Sequence, residues 1–267
     1  MLPSRQSDAV EPNPNVKEIK AQPRENNLQW LERLKGTDAK ATDGVILIGG
    51  ASLSHFRIRV AQSHVRGNLL PSCWSIAGLM VDGETFLTVP LAFGGKTSDV
   101  PQSNGVQACP LSDYKNPKQF PNIAVLRFAD NPEFIFSGPE KDPPERSIVD
   151  KIKSQRGIVD MPAMIIAWLA YIWGVGQRGN PLLDGAGVPS AVLAETAYGI
   201  GGVEMTPGLS SSSSCPEAIW HAAKWWQTFY KETVKLLEGS AVKGVVPTGY
   251  YCIRQEAAAA DWPPAKT

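Results

Sequence analysis

The chain has 267 residues, of which 43% are hydrophobic, so it is long and apolar enough for one large folded domain or two small ones. Its 26 basic and 26 acidic side chains give a formal net charge of zero, which predicts no nucleic-acid partner. The four cysteines are widely spaced and no histidine follows them at a zinc-ligand spacing. We therefore expect neither a metal nor a cofactor.

The two ends of the chain differ from its centre in composition. Residues 1–41 are polar and contain several prolines, which predicts a flexible arm with one short helix near 27–34, capped by Asn26 or Asn27. This arm lacks the apolar core of a signal peptide, so we expect a cytoplasmic protein with reduced thiols. Small residues and prolines predict a disordered tail over 254–267. Residues 42–253 then form a single domain.

Strand patterns dominate the first half of this domain. Residues 45–48 are β-branched and flanked by glycines, and 76–81 and 85–89 are apolar runs joined by Asp82-Gly83, a strong hairpin signal. Two further strands are predicted at 122–128 and 133–136. The alternating segment 56–60 fits either a strand or a short helix.

Helical patterns follow, over 146–156, 161–175, 189–198 and 216–237. The segment 161–175 is apolar on every side, which predicts a helix buried in the core. At about 15 residues it is shorter than the roughly 20 that a bilayer crossing needs, so no transmembrane span is predicted. A peripheral surface that touches lipid and a short membrane insertion remain as alternatives. The fold class is α+β, with a small antiparallel sheet in the N-terminal half packed against a helical C-terminal half.

Two segments resemble a known family by their order along the chain. The segment S-C-W-S-I-A-G-L-M-V-D-G-E begins at Ser72, and two helix starts come much later, G-V-P-S-A-V-L-A-E-T-A-Y around Ser190 and S-S-S-S-C-P-E-A-I-W around Cys215. A strand that carries a general base, followed by a helix that starts at a nucleophile, is similar to the circularly permuted papain-like (NlpC-type) cysteine hydrolases. The resemblance implies cleavage of amides, thioesters or esters in peptide, cell-wall or acyl substrates through an acyl-enzyme.

The candidate catalytic residues follow from this resemblance and from the chemistry of helix starts. Cys215 precedes Pro216 at a helix N-terminus, where the dipole and free N–H groups lower a thiol pKa. Ser190 fits the position of the family nucleophile better, judged by the segment that follows it, and would then be a serine in place of the family cysteine. The family pattern S-H-x-G-L has its histidine where this chain has Ile76, which leaves His64, on a loop before the hairpin, as the candidate base.

Each of these residues also has a purely structural interpretation. Cys215 would be a buried small side chain, Ser190 a helix cap and His64 a surface residue. Because Ile76 replaces the family histidine, we expect a weakened or altered catalytic site. The competing hypothesis is a non-catalytic module that binds a peptide or acyl ligand in the same groove and uses the aromatic C-terminal helix, which carries Trp220 and Trp225.

Overall fold

The structure is a computed structural model that describes residues 12–40, 43–66, 68–81, 83–91, 105–128, 160–201, 203–225 and 246–256. It contains one seven-stranded sheet, in which the strands lie in the order β1-β7-β6-β2-β3-β4-β5. The parallel pair β1–β7 is at one edge, and all the other neighbouring strands are antiparallel. The strands are β1 (Val16–Glu18), β2 (Val45–Gly49), β3 (Ile76–Met80), β4 (Thr85–Thr88), β5 (Gln107–Pro110), β6 (Asn122–Arg127) and β7 (Thr248–Ile253).

Five α-helices accompany the sheet in the part of the chain that the structure describes. They are α1 (Asn27–Thr37), α2 (Leu53–Ala61), α3 (Met161–Trp173), α4 (Pro189–Ile200) and α5 (Pro216–Lys224). Short 3₁₀ turns occur at Leu111–Tyr114, Val175–Gln177 and Ser211–Ser213. The α+β class predicted from the sequence is confirmed, although the sheet is larger than expected and takes one strand from the C-terminal end.

The two faces of the sheet are covered by different helices, because successive side chains of a strand point to opposite faces. Ile76 and Met80 of β3 pack in a cluster with Trp30, Leu31 and Leu34 of α1. Ala77 and Leu79 of the same strand belong to the larger cluster, which contains the buried side chains of α3, α4 and α5. This alternation decides which residues of β3 can meet the helix starts at Ser190 and Cys215.

The N-terminal segment is part of the fold rather than a flexible arm, as far as residues 12–40 are described. β1 pairs with β7, and Trp30 on α1 is fully buried, with its indole N–H donating to the Ile19 carbonyl at 2.8 Å. The predicted helix is present, and Asn26 caps it in a reciprocal capping box with Gln29. The prediction of a flexible arm was wrong for this stretch because the edge strand finds its partner only at the far end of the chain.

Helix α3 is buried on one side only. Met161, Ile165, Trp168 and Ile172 face the core, and the Trp168 indole N–H donates to the Gly187 carbonyl at 2.7 Å. Ile166 and Trp173 lie on the opposite side and are exposed. The expectation of burial on every side therefore holds for one face and fails for the other. Across the described ranges, no helix is both long and apolar enough to cross a membrane.

Most of the local predictions can be compared with the described residues. The strands at 45–48 and 122–128 are confirmed as β2 and β6, and the hairpin is confirmed by the pairing of Leu79 with Leu87 and of Met80 with Phe86. The segment 56–60 is helical, within α2. The predicted strand 133–136, the predicted helix 146–156 and the tail beyond 256 lie outside the described residues.

Candidate binding cleft

Cys215, the candidate nucleophile, is the N-cap residue of α5 but is only 1% exposed. Burial, with a smaller contribution from the nearby Glu217, raises the pKa of its thiol to about 12. Backbone N–H groups of Ala218 and Glu217 act in the opposite direction, as expected at a helix start, but burial outweighs them. The thiol therefore stays protonated near neutral pH, shielded from solvent.

Ser190, the alternative nucleophile, joins α4 to the sheet. It is the second residue of α4 and is 2% exposed, and its hydroxyl oxygen accepts a hydrogen bond from the Ala77 N–H of β3 at 3.2 Å. Helix α4 thus starts against β3, the strand that carries Ile76. The serine, however, serves there as a buried polar link between helix and strand.

The candidate base, His64, and Ile76, which stands where the family has its histidine, lie as follows relative to these residues. Ile76 points into the cluster around α1, whereas Ser190 lies on the opposite face of β3, beside Ala77. His64 lies in the turn after α2 and is exposed. Of the three sequence-predicted site residues, Cys215 and Ser190 are thus buried and His64 is exposed.

A different set of side chains forms an open cleft of about 560 Å³, which is in the usual size range of small-ligand sites. We call it the α5 cleft and define it by Arg66, Glu217, Trp220, His221, Lys224 and Tyr251. Four of these six belong to α5, at spacings of three and four residues, which places them on one side of the helix. The other side of α5 carries Ile219 and three alanines into the core.

Aromatic rings form one wall of the cleft. The ring of Trp220 lies 4.9 Å from that of Tyr251 and 5.1 Å from that of the buried Trp74, measured between centroids. Lys224 crosses the same wall, with its ammonium 4.7 Å above the Tyr251 ring and donating to the Val16 carbonyl at 2.9 Å. These contacts fix the aromatic surface in place before any ligand arrives.

The inner end of the cleft is polar, and Glu217 at its centre is hydrogen-bonded through both its carboxyl and its backbone N–H. The Glu217 carboxyl accepts a hydrogen bond from the Ser72 hydroxyl at 2.6 Å, while the Glu217 N–H donates to the Gln62 side-chain oxygen at 2.8 Å. Burial raises the pKa of this carboxyl to about 7, and the nearby Arg66 and Arg59 cations oppose the rise. Arg59 is itself fully buried and donates to the Ser72 carbonyl.

Cys73 also lines the cleft, next to Glu217. Burial raises the pKa of its thiol to about 11, and the sulfur lies 3.7 Å from the Glu256 carbonyl oxygen. This side chain is therefore a neutral thiol and a weak hydrogen-bond donor. It adds a polarisable contact to the cleft rather than an activated nucleophile.

The charges that face the cleft are of both signs. Arg66 and Lys224 contribute cations, while Glu18 on β1 and Glu256 after β7 contribute carboxylates. Among the described residues, no group of three or more His, Cys, Asp or Glu side chains is arranged to hold a metal ion. The cleft therefore offers aromatic rings, hydrogen-bonding groups and charges of both signs to a ligand.

Sequence reasoning found part of this cleft and missed the rest. The aromatic residues of the last helix were singled out as a possible docking surface, and Trp220 and Trp225 do line the cleft. Tyr251 and Glu18 were missed because β7 and β1 were not predicted. The alternating Tyr250-Tyr251-Cys252-Ile253 run could have indicated a strand there.

Comparison of the chain with protein-family models, with curated proteins and with solved structures finds no match. The resemblance to the papain-like hydrolases is therefore carried by short sequence segments alone.

Proposed function

We propose that this protein is a non-catalytic binding module, on an α+β scaffold of the papain-like type, that holds a short peptide in the α5 cleft. The observation that carries the proposal is the contrast between two regions. The α5 cleft is open, aromatic and charged with both signs, whereas Cys215 and Ser190 are buried. A ligand can reach the former without any rearrangement of the described residues.

The aromatic wall supplies the apolar part of the binding energy. Tyr251 is partly exposed and is held in place by Trp220, which is 9% exposed, so its loss of side-chain freedom on binding is small. Trp225, one helical turn beyond His221, extends the wall toward the end of α5. An apolar side chain of a peptide, laid against these rings, would be removed from water.

The mixed charge favours a peptide over a simple acyl ligand. A peptide with free ends carries one ammonium and one carboxylate, which match Glu18 or Glu256 and Arg66 or Lys224 respectively. A fatty acid carries a single negative charge, so the carboxylates in the cleft would oppose it. Only a ligand that carries both a positive and a negative charge can pair with the carboxylates and the cations of the cleft at the same time.

The competing hydrolase hypothesis needs an accessible nucleophile beside a base. Burial keeps the Cys215 thiol protonated, the Ser190 hydroxyl is engaged with Ala77, and the strand directs Ile76 to the other face. General acid–base help contributes on the order of 10²–10⁴-fold in rate. We therefore expect very little turnover of activated esters or amides.

Isothermal titration calorimetry with three probes tests the proposal. The probes are a phenylalanine-containing tripeptide with free ends, the same tripeptide with acetylated and amidated ends, and decanoate. We expect the free tripeptide to bind best. Arg66→Ala should raise its Kd about tenfold, equivalent to about 1.4 kcal/mol. The matched control Arg178→Ala removes an exposed arginine outside the cleft and should leave Kd unchanged.

Two outcomes would contradict this function. Tighter binding of decanoate than of either tripeptide, sensitive to Arg66→Ala, would identify an acyl ligand instead. Steady hydrolysis of a p-nitrophenyl ester that disappears in Ser190→Ala or Cys215→Ala would identify a hydrolase.

All four cysteines are described and none forms a disulfide, which supports placing this activity in a reducing compartment such as the cytoplasm.

A further inference from the structure

The outer side of α3 is an exposed apolar surface that the α5 cleft does not use. Ile166 is 65% exposed, Trp173 61% and Val175 62%, although side chains of this type are usually buried. The sequence from 161 to 179 contains no acidic residue. An exposed apolar stretch of this kind usually marks a contact with another molecule.

Helix α2 continues this surface. Leu53 and Val60 are exposed on its outer side, at spacings that place them on the same face as Arg57. The Arg57 guanidinium donates to the Tyr171 and Ile172 carbonyls at the end of α3. The exposed faces of the two helices therefore meet at Arg57, and we call the combined area the α2–α3 surface, defined by Leu53, Arg57, Val60, Ile166, Trp173 and Val175.

The end of α3 and the turn after it form an exposed tip, residues 173–179. Every residue from 173 to 179 is exposed, and Gly174 and Gly176 have φ values of 68° and 65°, which turn the chain sharply. The tip carries Trp173 and Val175, followed by the exposed Arg178. This exposed tip combines an aromatic ring, an aliphatic side chain and a cation, and residues 173–179 include no carboxylate, so it matches the apolar and anionic layers of a bilayer surface.

We propose that the α2–α3 surface docks the protein on an anionic lipid bilayer, with Trp173 and Val175 inserted at the headgroup level. Tryptophan is favoured at that depth because its ring is apolar and its N–H is polar. Arg57 and Arg178 lie beside the inserted side chains and are complementary to anionic headgroups. α3 has 13 residues and is about 20 Å long, so it lies in the interface and does not cross the bilayer.

Vesicle co-sedimentation of the full chain tests this docking. The probes are phosphatidylcholine vesicles with and without phosphatidylglycerol. We expect the native protein to sediment with the anionic vesicles and to be released by added salt. Trp173→Asp with Val175→Asp should abolish sedimentation, and Arg178→Glu should weaken it about tenfold on anionic vesicles. The control Val246→Asp, at an exposed valine just before β7, should bind like the native protein.

Circular dichroism of each variant separates loss of docking from loss of folding, and an unfolded tip variant would be replaced by the milder Trp173→Ser. Failure of the native protein to sediment with either vesicle would overturn the proposal, as would normal binding by the folded tip variants. Light scattering during size-exclusion chromatography provides the other decisive result. A dimer that Trp173→Asp converts to a monomer would show that a second copy of the chain covers this surface instead of lipid.

Discussion

Glu195 should make the protein less stable as the pH rises from acid toward neutrality. The residue lies on the buried side of α4, where its carboxyl accepts hydrogen bonds from the Thr206 hydroxyl at 2.6 Å and the Ser214 hydroxyl at 3.2 Å. Burial raises its pKa from the ordinary value of 4.5 to about 7, and the charge of Glu204 adds to the rise. The two hydroxyls oppose the rise but do not cancel it.

The sign of the effect follows from proton binding. Between pH 4.5 and about 7 the folded state holds a proton on Glu195 that the unfolded state has lost, so the contribution of Glu195 to the free energy of unfolding falls as pH rises. This contribution is highest below pH 4.5, declines through that window and levels off above about 7. A pKa shift of this size corresponds to a change of about 3 kcal/mol in the free energy of unfolding, which is a large share of the 5–15 kcal/mol typical of a domain. Glu217 adds to the same trend, because burial also raises its pKa to about 7.

Urea unfolding at about pH 5 and about pH 8 measures this dependence. Glu195→Gln keeps an uncharged acceptor for both hydroxyls, so it should unfold like the native protein near pH 5 and be more stable by up to about 3 kcal/mol near pH 8. The exposed Glu32→Gln is the matched control and should retain the native slope. Because the buried His55, whose pKa burial lowers to about 4, acts in the opposite direction below about pH 6.5, the difference between the variant and the native protein is the test. The same dependence on pH in Glu195→Gln as in the native protein would refute the reasoning.

Three further predictions concern thiols, the strand and the long apolar helix. A small alkylating reagent should modify Cys109, the one partly exposed cysteine, before Cys215, and peptide mass spectrometry showing the reverse would contradict the burial of Cys215. Ile76→His should lower the free energy of unfolding by about 2–4 kcal/mol and produce no burst of ester acylation, because the imidazole would enter the apolar cluster around α1; a burst in stopped-flow assays would contradict this. Trp168→Asp should unfold the protein, as measured by circular dichroism, because an unpaired buried charge costs several kcal/mol. The control Trp173→Asp should remain folded, and equal effects of the two changes would mean that α3 is not buried on one side only.

Elements with strong local patterns could be predicted from the sequence. β2 is a β-branched run between glycines, and β3 and β4 flank the Asp82-Gly83 turn. β1 and β7 could not be found in this way, because a three-residue edge strand has little pattern of its own and is stabilised by its partner. Strand preference depends on packing and on neighbours more than on the isolated segment. Here the partner of β1 is at the opposite end of the chain.

The α5 cleft was predictable only on its helical side for the same reason. Trp220 and Lys224 lie on a helix whose amphipathic spacing is visible in the sequence. Their counterparts come from the sheet edge, and the hydrogen bond from Lys224 to Val16 joins residues 208 positions apart. Which side chains meet across a cleft is a property of the sheet order, which local patterns do not contain.

Helix α4 starts against the hairpin strand, since the Ser190 hydroxyl accepts a hydrogen bond from the Ala77 N–H of β3. Order alone does not determine which side chains of that strand face the helix, because a change of one residue moves a side chain to the other face. Ile76 and Ala77 are neighbours in sequence and lie in different clusters. A base carried by β3 would therefore have to lie on the side of Ala77, and not on the side of Ile76, to face Ser190. A histidine at position 76 would enter the cluster around α1, on the opposite face of the strand from Ser190, so replacing Ile76 alone would not bring a base to this helix start.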